Sequence, residues 1–177
     1  MKNRRTATLA LAGLPLLAKA AETNTVENIE RKKKAPENFL SEETARIVSY
    51  TIYAEARGED YEGKRAVASV IATRALLLRR TMAEICLHEK QFSCWNNIYE
   101  VPESYVAGNY SNLNDIVARA DSYALAWELL SYNRKWDRFT HFYNPSKASP
   151  SWASKLKGVK MIGNHVFGFM EPKFMPR

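Results

Sequence analysis

Glu55 stands where acid–base chemistry is easiest to build. It falls in the last turn of a helical pattern running from Ser41 to Ala56. On a wheel of 100° per residue it lies within about 20° of Val48 and about 60° of Ile52. A carboxylate on such an apolar stripe must find a cation or shift toward its neutral form, because burying an unpaired charge is costly. The partial negative charge of a helix C-terminus pushes the same way. A glutamate kept protonated near neutral pH is the general acid that glycosidic cleavage requires. An ion pair with Arg57, Arg65 or Arg74 is the alternative this position leaves open. Beyond Gly58, Glu59 is the candidate for a second carboxylate; it either positions substrate or caps the next helix.

Downstream residues offer a carbohydrate groove. Tyr143, Trp152 and Phe167 can each stack on pyranose faces or pack into the core, with Trp152, preceded by Pro150 and Ser151, the strongest platform. Gln91, Ser93 and Asn144 can hydrogen-bond acetamido or hydroxyl groups, and His141 and His165 sit beside aromatics in turn-like segments. The histidines, His88, His141 and His165, have no paired ligand spacing, so neither a metal nor a cofactor is expected. Cys94 with His141 and Asn144 or Asp137 would be a Cys-His peptidase pattern. Nothing local favours it: Cys94 lies between Ser93 and Trp95, with no helix start after it and Cys86 close enough to bridge. In an oxidising compartment a Cys86–Cys94 disulfide is expected, worth ~2–3 kcal/mol and bracing the segment from Lys90 to Asn96.

The elements that must hold these residues are mostly helical. Ser41 with Glu42 and Glu43 is an N-cap followed by first-turn acids, and Gly58 is the stop. A second helix is expected from about Glu62 to Arg80, with Val67, Val70, Ile71, Arg74, Leu77 and Leu78 at helical spacing. Thr81 to Glu84 is a capping box opening a short third helix. Gln91 to Tyr110 is polar and aromatic, a loop region. A long helix follows from about Asn114 to Arg134, with Ile116, Tyr123, Trp127 and Leu130 on one side. Thr140 to Pro145 is extended, Ser151 to Leu156 fits a short helix, and Val159 to Phe169 alternates around a Gly163-Asn164 turn, the pattern of a small hairpin. The fold class is therefore mainly α (α+β), with its β element near the C-terminal end.

Composition fits one globular domain: 177 residues, 46% hydrophobic and 25% charged, which excludes a disordered chain or a membrane bundle. The formal charge of +7 is concentrated at the start. Lys2, Arg4, Arg5 and Lys19 lie in the first twenty residues, which hold no acid; the rest has 22 basic residues against 19 acidic ones. That mild excess suits a polyanionic partner such as a cell wall or a membrane surface, and on its own establishes neither; no nucleic-acid partner is expected. The same twenty residues form a signal-peptide pattern: a basic start, an apolar run from Ala7 to Ala18, and Ala18-Lys19-Ala20 as the cleavage rule. As a helix the run spans about 18 Å, short of the roughly 30 Å of a bilayer. Residues 21–40, with a basic cluster from Arg31 to Lys34, are a flexible linker, and 41–177 the folded domain. The expected location is outside the cytoplasm, in the periplasm or cell envelope.

The segment from Tyr53 to Glu59, followed by Gly63 to Val70, resembles the core motif of the spore-cortex-lytic and related cell wall hydrolases (the SleB/CwlJ-like family). Lys90 to Ser93, His141 to Tyr143, Pro150 to Trp152 and Ile162 to Phe167 follow in the order that family shows, so the resemblance runs from about Ile47 to Phe169. It implies a compact lysozyme-like helical domain acting on peptidoglycan glycan strands, as a lytic transglycosylase or muramidase and as a monomer. In that scheme Glu55 protonates the oxygen between N-acetylmuramic acid and N-acetylglucosamine, then serves as base toward the sugar's own 6-hydroxyl. Simple hydrolysis would call for a second carboxylate about 5–9 Å away. Spore-acting members typically carry a separate peptidoglycan-binding module, for which this chain has no room, so envelope remodelling or phage lysis fits equally well. Outside catalysis, the same aromatics would serve a wall-binding module in which Glu55 is an ion-pair partner.

Overall fold

The computed structural model describes residues 41–108, 112–131 and 135–174. The leader expected at 1–20 and the linker expected at 21–40 lie outside the described residues. Among the described residues five α-helices come first: α1 (Glu42–Ala56), α2 (Tyr61–Leu78), α3 (Met82–Leu87), α4 (Glu103–Ala107) and α5 (Leu113–Leu130). A three-stranded antiparallel sheet of β1 (His141–Tyr143), β2 (Lys157–Ile162) and β3 (His165–Phe169) follows, in the order β1-β3-β2. The mainly helical class with a small late β element holds.

Local chemistry explains the helix boundaries. Ser41 Oγ accepts from Thr44 N at 3.1 Å, satisfying one of the orphan donors at the start of α1. Asp60 does the same for α2 through Gly63 N at 2.8 Å, so the cap of this helix is Asp60 and not Glu59. The capping box of α3 is complete: Glu84 N donates to Thr81 Oγ1 and Thr81 N to Glu84 Oε2. Gly58 has no left-handed backbone; α1 ends in a turn closed by Glu59 N donating to Ala56 O at 3.0 Å.

Two helices differ from their sequence pattern. α1 is buried on most sides, with Val48 to Tyr53 all buried, because α2, α3 and α5 pack around it. It is a central helix, not one with a single apolar stripe. In α5 the buried positions are Ala118, Ser122, Leu125, Ala126, Leu129 and Leu130, while Ile116 and Tyr123 are 49% and 37% exposed. Small residues at Ala118, Ser122 and Ala126 let α5 approach closely, and this close packing outweighs the pattern of larger side chains. The loop after α3 also holds order that no periodicity announced: a 3-10 turn at Ser93–Trp95 and the short α4.

The β2–β3 hairpin turns at Gly163, whose φ of 55° is left-handed, and pairs Met161 with Val166. β1 adds a third strand, with Phe142 opposite Phe167. Arg74, 6% exposed, ties this sheet to α2. Its Nε donates to Thr140 O at 2.6 Å and its Nη1 to Gln91 Oε1 at 2.9 Å, and its guanidinium lies 5.4 Å from the Phe92 ring centre. Phe92 and Phe167 are among the largest side chains wholly inside the core.

Candidate active site

Glu55 emerges half-buried in the last turn of α1, where the central helix reaches the surface. Ser93 Oγ donates to Glu55 Oε1 at 3.1 Å and Cys94 N donates to the same oxygen at 3.2 Å. The 3-10 turn Ser93–Trp95 makes this possible, and Trp95 anchors the turn to α1 by donating from Nε1 to Thr51 Oγ1 at 2.9 Å. Both donors meet one carboxylate oxygen, so neither uses the other. Among the described residues no ion pair reaches Glu55. The three arginines that could have clasped it are engaged elsewhere. Arg65 pairs with Glu62 and Asp137, Arg74 lies in the Thr140–Gln91 network, and Arg57 stands 6.0 Å over the Tyr53 ring. Arg74 carries its charge in the core: burial lowers its guanidinium to about 10, and Glu55 is among the groups that oppose that fall.

The Cys86–Cys94 bridge that spacing allows is not formed; both are free thiols. Cys86 is wholly buried, its thiol pushed up to about 12 by burial against a partly offsetting Thr51 hydrogen bond. Cys94 rises further, first from burial and then from the Glu55 carboxylate beside it. A thiol facing a carboxylate is held in its neutral form, the opposite of what a cysteine nucleophile needs. The other member of the Cys-His pattern is buried too. His141 is 7% exposed, with Nδ1 3.0 Å from Thr140 Oγ1 and its ring 5.1 Å from Trp152. Burial, with Arg74 second, lowers its pKa to about 4.

Glu59 occupies a different setting. Asn164 N donates to its Oε2 at 2.9 Å and Asn164 Nδ2 to its Oε1 at 3.1 Å. His165 Nδ1 lies 3.2 Å from Oε1, close enough for an ion pair, yet it lacks the alignment of a hydrogen bond and stays buried without one. The Glu59 side chain is 7% exposed.

The remaining groove candidates divide by what they touch. Ser93 is exposed and joins Glu55. Tyr143 and Trp152 are half-buried and meet edge to face, centroids 5.7 Å apart, beside His141. Phe167, by contrast, is core. Gln91 Oε1 accepts from Arg74, and Asn144 Oδ1 accepts from Ser146 N and Oγ, organising its own turn. An apolar recess of about 650 Å³ lies at the far end of α2, bordered by Leu76, Met82, Leu129 and Trp136, and includes none of these residues. What sequence reasoning missed is Cys94 N as a carboxylate donor, which has no side-chain signature, and Arg74 as the buried cation of the network.

Residues 58–168 match the family described as Cell Wall Hydrolase, beginning just after Glu55. The chain is similar to the spore cortex-lytic enzyme of Oceanobacillus iheyensis, 26% identical over 132 residues that cover 72% of this chain and 42% of that protein. The spore cortex-lytic enzyme of Bacillus subtilis is likewise 26% identical over 133 residues, covering 72% and 38%. The chain thus spans about two fifths of the length of the curated relatives it matches. Among solved structures, the catalytic domain of the germination-specific lytic transglycosylase SleB from Bacillus anthracis superposes with a TM-score of 0.49 at 22% identity, over 73% of this chain and 97% of that one.

Proposed function

The chain belongs to the cell wall hydrolase family, and on that premise we propose that it cuts peptidoglycan glycan strands as a lytic transglycosylase, with Glu55 as acid and then base. The proton of Glu55 passes to the oxygen bridging N-acetylmuramic acid to N-acetylglucosamine, and the bond from the muramyl anomeric carbon to that oxygen breaks. The sugar's own 6-hydroxyl then attacks the anomeric carbon and returns its proton to Glu55, closing a 1,6-anhydro ring. No water is consumed and the carboxyl group is regenerated.

One observation carries this reading: the contrast between an available Glu55 and an occupied Glu59. Ser93 and Cys94 fix one oxygen of Glu55 and no cation neutralises it among the described residues, which suits a group that must both give and take a proton. Hydrolysis would need a second free carboxylate near the first. Glu59, the acid that could supply it, is 7% exposed and held by Asn164. A nucleophile carried by the substrate removes the need for one. We propose further that Tyr143 and Trp152 stack on sugar rings and that the protein works outside the cytoplasm, exported through residues 1–20.

The test is digestion of purified peptidoglycan followed by mass spectrometry of the released muropeptides. Ends lighter by one water are expected; reducing ends throughout would make the enzyme a muramidase and return Glu59 to consideration. Glu55→Gln is expected to stop cutting by a factor on the order of 10³ or more with wall binding intact. Undiminished turnover in that variant rejects Glu55.

A further inference from the structure

Glu59 is built into the protein from every side. Two glycines leave the space its side chain fills. At Gly63 an added Cβ would stand 2.6 Å from Glu59 Cβ, and at Gly163 it would run into Glu59 Oε2. Asn164 offers both its backbone N and its side-chain Nδ2 to the carboxylate, one to each oxygen. The Glu59 backbone is held as well: Lys64, 3% exposed, donates to Glu59 O at 2.9 Å and to Asp121 Oδ2 at 3.0 Å. A carboxylate withdrawn from water this far is costly unless such partners compensate it. The structure maintains it at the junction of two elements. One is the end of α1, where Glu59 N closes the turn on Ala56 O, one residue past Glu55. The other is the β2–β3 turn, whose sheet carries Tyr143 and, packed against it, Trp152.

We infer that Glu59 is a positioning residue for glycan cleavage: its carboxylate clamps the Gly163–Asn164 turn to the end of the helix bearing Glu55, and so sets the aromatic sheet at a fixed reach from the acid. The inference rests on Glu55 being the acid proposed above. The clamp spans 105 positions of sequence. A carboxylate suits it because each of its oxygens accepts from one Asn164 donor, which defines the turn's orientation as well as its distance. Errors of about 1 Å between substrate and catalytic group cost on the order of 10²-fold in rate.

The experiment uses the whole chain and solubilised glycan strands, measuring initial rates over a range of strand concentration, together with melting temperature and wall pull-down. Glu59→Ala is expected to lower kcat by about 30-fold while KM changes less than about threefold, since the aromatic surface itself is intact. Asn164→Ala, which removes only the Nδ2 bond from an exposed side chain, is expected to lower kcat by about tenfold, and the double variant by no more than Glu59→Ala alone, because both break one clamp. Glu59→Gln still accepts from Asn164 N and, once the Asn164 amide turns over, still pairs with it; recovery to within about fivefold of the parent is expected. A residue that merely supported the fold would show its loss in melting temperature and folded fraction, with no such split between kcat and KM.

Wild-type rates in Glu59→Ala, or losses that multiply in the double variant, overturn the clamp. If Glu59→Ala does not fold, Asn164→Ala decides the question alone, by the same kcat criterion. Glu55→Gln separates the two claims. A dead Glu55→Gln beside a fully active Glu59→Ala removes the clamp and leaves the acid, whereas a fully active Glu55→Gln overturns both, since the clamp then has no acid to place.

Discussion

Glu55 and Glu59 stand on either side of Gly58, the same residue type within one turn of chain, and the protein treats them oppositely. Glu55 is half-buried, met on one oxygen by a serine hydroxyl and a backbone amide, with the neutral Cys94 thiol beside its carboxylate. Glu59 has both oxygens taken by Asn164, is 7% exposed, and lies between two glycines that admit no larger neighbour. Sequence proximity therefore says little about role. On the roles proposed above, the acid that exchanges protons has no ion pair among the described residues, whereas the acid that holds an element has a donor on each oxygen.

The widest gap between them appears when each is made neutral at constant shape. Glu55→Gln removes the exchangeable proton and should cost on the order of 10³-fold or more in cutting rate; Glu59→Gln keeps one acceptor and pairs its amide with a turned-over Asn164, and should cost about fivefold or less. Equal losses, read by turbidity of a peptidoglycan suspension, would erase the distinction. A smaller effect comes from the turn that Glu59 holds. Gly163→Ala must put a side chain at φ 55° and press it on Glu59 Oε2, so destabilisation of about 2–4 kcal/mol is expected, together with slowed cutting. Thermal unfolding checks the first and rate the second. If Glu59→Ala is added to relieve the collision, part of the lost stability should return, and its absence would mean that the glycine is required by backbone alone.

How much of this was legible depends on distance along the chain. The Thr81–Glu84 capping box and the Ser41 cap are encoded within three residues, and they stand as read. The Gly163-Asn164 turn is likewise local. The role of Glu59 is not, because its partner is 105 positions away. For Glu55 the wheel gave a direction but a mistaken reason: α1 has no apolar stripe to speak of, being enclosed by three helices, and Glu55 emerges because the helix ends there. On the α5 face that spacing suggests, Leu130 is buried and Trp127 packs on the core, but Ile116 and Tyr123 are exposed, because close packing also places Ala118, Ser122 and Ala126 inside. Cysteine spacing permitted a bridge, but Cys86 faces the interior and Cys94 faces Glu55.

A third way to sharpen the contrast uses acidity, since the buried network behind the site contains His141. Its pKa falls from 6.5 to about 4 in the fold, chiefly by burial and then by Arg74. The unfolded chain therefore takes up a proton near pH 6.5 that the folded chain refuses until about pH 4. Stability is undiminished above pH 6.5 and declines as pH falls through that window, by up to about 3 kcal/mol for this residue. His141→Asn should flatten the decline in chemical-denaturation curves taken between pH 7 and 4. An unchanged slope would show that His141 does not titrate as its burial requires.

The smallest effect concerns the donors to Glu55 themselves. Ser93→Ala removes one of two hydrogen bonds to Oε1, but the other comes from Cys94 N and no substitution deletes it. With the turn still tied to Thr51 by Trp95 Nε1, the carboxylate should keep its place. The loss is then that of one hydrogen bond on an exposed hydroxyl, about 1 kcal/mol or five- to tenfold in kcat. A loss on the scale of Glu55→Gln would mean that Ser93 acts on the substrate directly. No loss at all would mean that the backbone amide alone orients the acid, and the comparison would narrow to one amide donor for Glu55 against two Asn164 donors for Glu59.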